Sequence, residues 1–327
     1  MTALQDFQLA RPRDVEAAVA ACRAHEGSRF LAGGTDLIVN MRRGLGVTTL
    51  LIDLSGIEEL TGISISTSGV RIGAGVTIAA LADERCLQRY RALVEAARAV
   101  AAPGHRAMGT LGGNLCLDTR CIYYNQSEWW RHANGFCLKY GGEVCHVAPQ
   151  GARCHAAFSG DLAPTLMVLG AHVEIAGPVG RRHIPLEKLY VEDGRAHLAL
   201  APGELIVAAH LPSPAPPSAY EKVRVRGAID FPLAGVAVAL TKANVAVDTL
   251  RVALTGTNSR PFLLEGTHAF AGQPIGDAAL ARLDKLVQKQ VQPMRTTSTS
   301  AHYRRLAGAA LAQRLAARLF AEQEIAS

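Results

Sequence analysis

Five cysteines, Cys116, Cys121, Cys137, Cys145 and Cys154, crowd into 39 residues, while Cys22 and Cys86 are the only others in the 327-residue chain. The segment around them is rich in Asn, Gly, His and Arg and holds both tryptophans of the chain, Trp129 and Trp130. A stretch of this composition reads as an irregular excursion that needs a staple to become ordered, and a bound metal centre would supply that folding energy. Cys121, Cys137, Cys145 and Cys154 are separated by 16, 8 and 9 positions. Four thiolates suit either a tetrahedral zinc ion or a cubane iron–sulfur cluster. Neither a CxxC knuckle nor the compact CxxCxxCxxxC run is present, so spacing leaves the metal open, with free buried thiols as the alternative. Cys116, Cys22 and Cys86 read as ordinary small apolar residues. His132, His146 and His155 read as surface or hydrogen-bonded histidines rather than ligands.

The first twenty-odd residues carry Asp6, Asp14 and Glu16 and no continuous apolar stretch, so no secretory signal is expected. A cytoplasmic location follows as the expectation, and there clustered cysteines are more often metal ligands than disulfides. No run approaches eighteen uninterrupted apolar residues, which argues against a membrane-spanning helix. The net charge of +6 is spread along the chain, apart from Arg295, Arg304, Arg305, Arg314 and Arg318. These read as one solvated helical face, and nothing in the pattern suggests nucleic acid.

Hydrophobic periodicity predicts an α+β chain in three parts. Residues 1–53 read as a small α/β unit: a helix from Asp14 to His25, a strand at 29–32, a helix from Thr35 or Asp36 to Arg43, and a strand at 50–54. Residues 54–210 form a second unit, with strands at 63–66 and 70–73, helices at 78–87, 91–101 and 161–169, and a strand at 171–176. The prolines between Pro212 and Pro217 mark a linker within 205–220. Residues 218–327 form an α+β unit, with strands at 220–225, 235–240 and 251–254 preceding helices at 277–290 and 300–322.

Two glycine-rich turns stand out. Phe30 to Leu37 runs from a strand through Gly33-Gly34 to Thr35 and Asp36 at a helix start. Thr110-Leu-Gly-Gly-Asn114 repeats the theme. Paired glycines let a diphosphate approach the backbone, where N–H groups and a hydroxyl hold its oxygens. Each turn taken alone is equally well a structural turn, and Asp36 is also an ordinary helix N-cap candidate. A pair of such loops fits a ligand gripped between two subdomains. The run Gly73-Ala-Gly-Val-Thr lacks the third glycine and the downstream acid of a Rossmann fingerprint. There is no GxxxxGK[ST] loop and no HExxH.

Taken in order, LAGGTDL at 31–37, IGAGVT at 72–77, TLGGN at 110–114, GDLAPTLMVL at 160–169 and YEKVRVRGAIDFPLAGVAVAL at 220–240 resemble the FAD-binding subunits of molybdenum hydroxylases, the xanthine dehydrogenase and CO dehydrogenase group. The resemblance covers nearly the whole chain. It implies a two-subdomain, non-Rossmann FAD-binding unit (PCMH-type) followed by a CO-dehydrogenase-flavoprotein-like α+β domain. Asn114 and Asp161 lie 47 positions apart, so roughly forty residues, about 115–160, look inserted. Within them DTRCIYYNQSEWWR at 118–131, NGFCLKY at 134–140, Cys145-His-Val and Arg153-Cys154 resemble the β subunits of 4-hydroxybenzoyl-CoA reductases. The periplasmic aldehyde oxidoreductases carry a related insert without NQSEWWR and are the second match.

The resemblance implies that Cys121, Cys137, Cys145 and Cys154 hold a [4Fe–4S] cluster. It implies that Phe30, Leu31, Ala32, Gly33, Gly34, Thr35, Asp36 and Leu37, with Gly112, Gly113 and Asn114, hold the FAD diphosphate. Thr110 supports the second loop, Asp161 binds a polar group of the cofactor, and Lys222 reaches the flavin from the third domain. A helix N-cap for Asp161 and a solvated strand position for Lys222 are the plain structural alternatives. Leu117 stands where a polar residue near the flavin would be expected. No residues for molybdenum or for acid–base chemistry are evident, so the implied role is electron transfer. The implied partners are a molybdopterin-binding large subunit, a [2Fe–2S] small subunit and, as electron donor, a ferredoxin. Arg131, Lys139 and Arg153 are read as basic residues exposed on the insert, either attracting an acidic ferredoxin or merely solvated.

Overall fold

The computed structural model describes residues 4–295 and 299–325. The chain opens with β1 (Gln8–Ala10), α1 (Val15–Ala24), β2 (Ser28–Leu31), α2 (Leu37–Arg42) and β3 (Leu50–Asp53). Asp14 starts α1 by accepting a 2.7 Å hydrogen bond from the Ala17 N–H, which satisfies one of the helix's free donors. The three strands form a parallel sheet in the order β1-β3-β2, with Leu50, Leu51 and Ile52 of the central strand almost wholly buried. Parallel strands need crossovers, and α1 supplies the one from β1 to β2 and α2 the one from β2 to β3.

The second part runs β4 (Ile63–Ser66), β5 (Gly69–Gly73), α3 (Ile78–Asp83), α4 (Arg91–Ala99), α5 (Pro103–Met108), α6 (Leu111–Leu115), α7 (Glu128–Ala133), α8 (Leu162–Val168), β6 (His172–Gly177), β7 (Gly180–Pro185) and β8 (Leu205–Pro212). Its strands make an antiparallel sheet in the order β4-β5-β8-β6-β7. The central position of β8 corrects the expected linker: Leu205 to Ala209 are buried on both faces, so the strand shows no alternation, and the linker shrinks to the residues after Pro212. The TLGGN turn is likewise a short helix rather than a loop, because the Thr110 hydroxyl caps α6 by accepting from the Gly113 N–H at 3.1 Å.

The last part holds β9 (Ser218–Val223), β10 (Ala234–Ala243), β11 (Ala246–Thr255), β12 (Phe262–Leu263), α9 (Asp277–Gln290) and α10 (Ala301–Ile325). The strands form an antiparallel sheet in the order β12-β11-β10-β9, covered on one face by α9 and α10. The other face meets α8, every residue of which is buried, so Ala237, Ala239 and Ala253 join the core of the second part. The small side chains let the helix lie close to the sheet.

The basic C-terminal residues are not one solvated face. Arg304 is 2% exposed and donates to the carbonyls of Leu233 (2.9 Å), Met294 (2.6 Å) and Gly256, and burial brings its pKa down to about 10. Arg314 and Arg318 pair with Glu221 on β9. Among the described residues no helix is long and apolar enough to cross a membrane.

Candidate functional site

The two glycine loops, some 75 residues apart in sequence, touch in space. An ideal Cβ on Gly33 would sit 1.8 Å from the Met108 carbonyl oxygen and 3.0 Å from the Gly109 Cα, so only hydrogen fits where the first loop crosses the second. Gly34 has φ +69°, a conformation that glycine adopts without a steric penalty. The IGAGVT strand end completes the cluster. The Gly112 N–H donates to Ala74 O (2.8 Å), the Leu111 N–H to Val76 O (2.9 Å) and the Ile78 N–H to Gly109 O (2.8 Å). Thus the three glycine motifs form one backbone-lined junction.

Several side chains expected at the flavin have partners inside the protein. Asp36 precedes α2 but makes no capping bond; its carboxylate instead pairs with the Arg120 guanidinium and accepts from Asn40 Nδ2 at 3.1 Å. Asn114 Oδ1 accepts the Leu162 N–H at 3.0 Å and so caps α8 in place of Asp161, which makes no capping bond of its own. The Asp161 carboxylate accepts from the Tyr220 hydroxyl at 2.6 Å and pairs with Lys222 Nζ at 2.9 Å. Both charged side chains are nearly inaccessible, at 4% and 3%. Lys222 is therefore not a solvated strand residue. It also donates to Asp230 O at 3.3 Å. Burial, followed by the Asp161 charge, raises the Tyr220 pKa well above the ordinary value. The Leu117 side chain lies in the second core, among Leu115 and Phe158.

The insert is anchored on all sides. Residues 120 and 157 exchange backbone hydrogen bonds of 2.9 and 2.8 Å and close its base. Arg131 of α7 is 2% exposed. Its guanidinium donates to the carbonyls of Gln126 (2.6 Å) and Gly44 (3.2 Å) and lies over the Tyr140 ring, 4.6 Å from its centroid. Lys139 Nζ bonds Asp118 Oδ1 at 2.6 Å, and Arg153 pairs with Glu192 at 3.2 Å and with Gln292 at 2.8 Å. Arg131 and Lys139 are thus internal struts and not an exposed basic patch, because each finds carbonyl or carboxylate acceptors within the fold, while Arg153 stays partly exposed in its pairing with Glu192.

Cys121, Cys137, Cys145 and Cys154 are all buried, unpaired in disulfides, and line one cavity with Tyr123, Lys139, His146 and Ala156. Among the described residues no group of three or more His, Cys, Asp or Glu side chains is already drawn together around a metal position. Backbone N–H groups of Tyr124 and Ala156 point at the sulfurs of Cys121 (3.3 Å) and Cys154 (3.4 Å). Burial raises the Cys121 thiol and pushes Cys154 up to about 12. Metal binding would deprotonate them and release protons. Burial also pushes Cys116 up to about 12, but it packs in the neighbouring core, away from the cavity. Arg120, Tyr220 and the internal role of Arg131 escaped the sequence reading. A basic residue beside Cys121 was the one visible signal for Arg120.

Two outcomes follow from this geometry. Gly33→Ala must push the loops apart at the Met108 carbonyl, at a cost of roughly 1–3 kcal/mol for overpacking. We expect a lower melting temperature and loss of most bound flavin, read from the visible absorbance per protein. Gly104→Ala, where a Cβ meets open space, serves as the unaffected control. Separately, His197 beside the insert is held down to about 4, first by burial and then by the Lys139 charge. The unfolded chain, with a histidine near 6.5, then binds more protons than the native one between these values. Stability should fall as pH drops from 6.5 to 4, by about 3 kcal/mol from this residue. Urea unfolding across that window should show a shallower acid loss in His197→Leu.

Comparison with known proteins agrees with this architecture. Residues 5–214 match the family described as FAD binding domain in molybdopterin dehydrogenase, and residues 218–319 match the CO dehydrogenase flavoprotein C-terminal domain. The chain is 36% identical over 270 residues to the FAD-binding subunit of an aldehyde oxidoreductase from Escherichia coli (strain K12), covering 79% of this chain and 83% of that protein. It is 30% identical to the carbon monoxide dehydrogenase medium chain of Afipia carboxidovorans, covering 93% and 94%. Its fold superimposes on a chain of the reconstituted CO dehydrogenase from Oligotropha carboxidovorans with a TM-score of 0.80 at 27% identity, covering 98% and 99% of the two chains. Motifs, fold and relatives place the chain among the FAD-binding subunits of the xanthine dehydrogenase and molybdenum hydroxylase family, with the fold of the CO dehydrogenase medium chains.

Proposed function

We propose that this oxidoreductase subunit carries electrons, through FAD and a [4Fe–4S] centre, to a molybdenum enzyme that removes the phenolic hydroxyl of 4-hydroxybenzoyl-CoA. The reaction consumes two electrons and two protons and gives benzoyl-CoA and water. The donor in this reading is reduced ferredoxin, and the partners are a molybdopterin-binding large subunit and a [2Fe–2S] small subunit. The observation that carries it is the insert: four buried thiols around one cavity, within a segment bearing NQSEWWR. Four cysteines on one cavity, two of them with a backbone N–H aimed at sulfur, suit a cubane cluster held by four thiolates. In this reading Cys121, Cys137, Cys145 and Cys154 are the ligands.

For the flavin, the backbone of Phe30, Leu31, Ala32, Gly33, Gly34, Thr35 and Leu37, with Gly112 and Gly113, provides the diphosphate cradle. Gly33, Gly112 and Thr110 hold the loops against each other, and the scarcity of side chains at the junction lets a dianionic group approach the backbone. Asp36 and Asn114 belong to the same cradle and Asp161 binds a polar group of the cofactor, each held in place by its internal partners. Lys222, tied to Asp161, brings the third domain's charge to the same junction. Bound FAD exchanges electrons singly or in pairs, and a cubane one at a time; the protein sets their burial, hydrogen bonding and charge.

A second reading, an aldehyde oxidoreductase subunit, is favoured by the 36% identity to such a subunit. Assay of the purified complex separates them. Formation of benzoyl-CoA from 4-hydroxybenzoyl-CoA with reduced ferredoxin supports the first. Oxidation of aldehydes without benzoyl-CoA formation overturns it in favour of the second. For the metal site, Cys137→Ser should lose iron and acid-labile sulfide while keeping FAD. Unchanged iron in that variant, or zinc in place of iron in the wild type, would refute the ligand assignment.

A further inference from the structure

We propose that Lys139 and Asp118 form a fixed charge pair that sets the reduction potential of the group held by the four thiols, Lys139 raising it and Asp118 lowering it. This rests on the iron–sulfur reading of the cysteine cavity. Lys139 lines that cavity together with all four cysteines. Its side chain is 5% exposed, whereas that of Asp118 is 26% exposed. The ammonium is fastened by four acceptors of the surrounding wall, Asp118 Oδ1 at 2.6 Å, Thr119 O at 3.0 Å, Gly194 O at 2.9 Å and the Thr119 hydroxyl, and it lies over the Tyr124 ring, 4.6 Å from its centroid. With all three N–H donors engaged and an aromatic face beneath, the charge has no room to swing into solvent.

A buried cation that cannot reorient exerts its field at low dielectric, where it acts most strongly. That field reaches the thiols directly, since Lys139 lines the cavity that all four share. Four thiolates around a cluster make an anion that gains one more negative charge on reduction. Lys139 therefore favours the reduced form, and the more solvated Asp118 offsets it only in part. The step takes one electron from an external reductant, dithionite in the experiment below, and moves no proton. Lys139 acts only through its charge.

The test is a redox titration of the purified, cluster-loaded complex followed by the paramagnetic signal of the reduced cluster. Lys139→Gln should lower the midpoint by tenfold or more in the reduction equilibrium, or 59 mV for a single electron, and Asp118→Asn should raise it by a smaller amount. Lys139→Arg, which keeps the charge, should restore the midpoint, and the flavin midpoint should not move. If Lys139→Gln fails to assemble, the opposite displacement in Asp118→Asn still decides the matter. Midpoints like wild type in Asp118→Asn, or in a loaded Lys139→Gln, overturn the proposal while leaving the cluster reading intact. A wild-type complex without iron and sulfide overturns both.

Discussion

A carboxylate buried at the head of α8 ties the molecule together. Asp161 faces Lys222 and the Tyr220 hydroxyl from the strand that opens the last domain. Two charges removed from water are costly unless each is fully matched, and removing one partner of such a pair typically costs about 3–5 kcal/mol. The domains therefore have one mutual placement at this point, with α8 pressed between the two sheets and capped from below by Asn114. The glycine junction depends on the same anchor, since Asn114 belongs to the TLGGN helix that meets Gly33's loop.

The insert is built onto this frame as a wedge among all three parts. Its small core takes Leu45 from the first part and Met294 from the last, around Cys121, Tyr124 and Cys154. Arg120 reaches from the residue beside Cys121 to Asp36 in the first glycine loop. One side chain thus joins the thiol cavity to the glycine junction, which makes the insert part of the same packed unit rather than an appendage. Arg131 and Lys139 hold it from within, where backbone carbonyls take the place of water.

Much of this was legible in the sequence. The strand–Gly-Gly–helix of 28–42, the paired strands of 63–73 and the strands-then-helices of the last part follow from local periodicity, which does not depend on distant contacts. The helix from Asp161 was also visible, because its run is apolar all round. The strand at 205–212 was masked by the prolines that begin at its last residue and by its burial on both faces, which erases alternation. The TLGGN helix was hidden because two glycines suppress helix propensity, and Thr110 offsets that only through its cap.

What the sequence determined by itself was the inventory: three motif-bearing parts, two glycine loops, four spaced thiols, and a resemblance to flavoprotein subunits that the fold and relatives uphold. What only the tertiary structure decided was the fate of charge. Arg131, Lys139, Arg304 and Lys222 look in sequence like solvated residues, because the code for a surface lysine and a buried one is the same letter. Their acceptors come from segments as distant as Gly44 and Gly194, and a buried charge is tolerable only once the fold has assembled those acceptors around it.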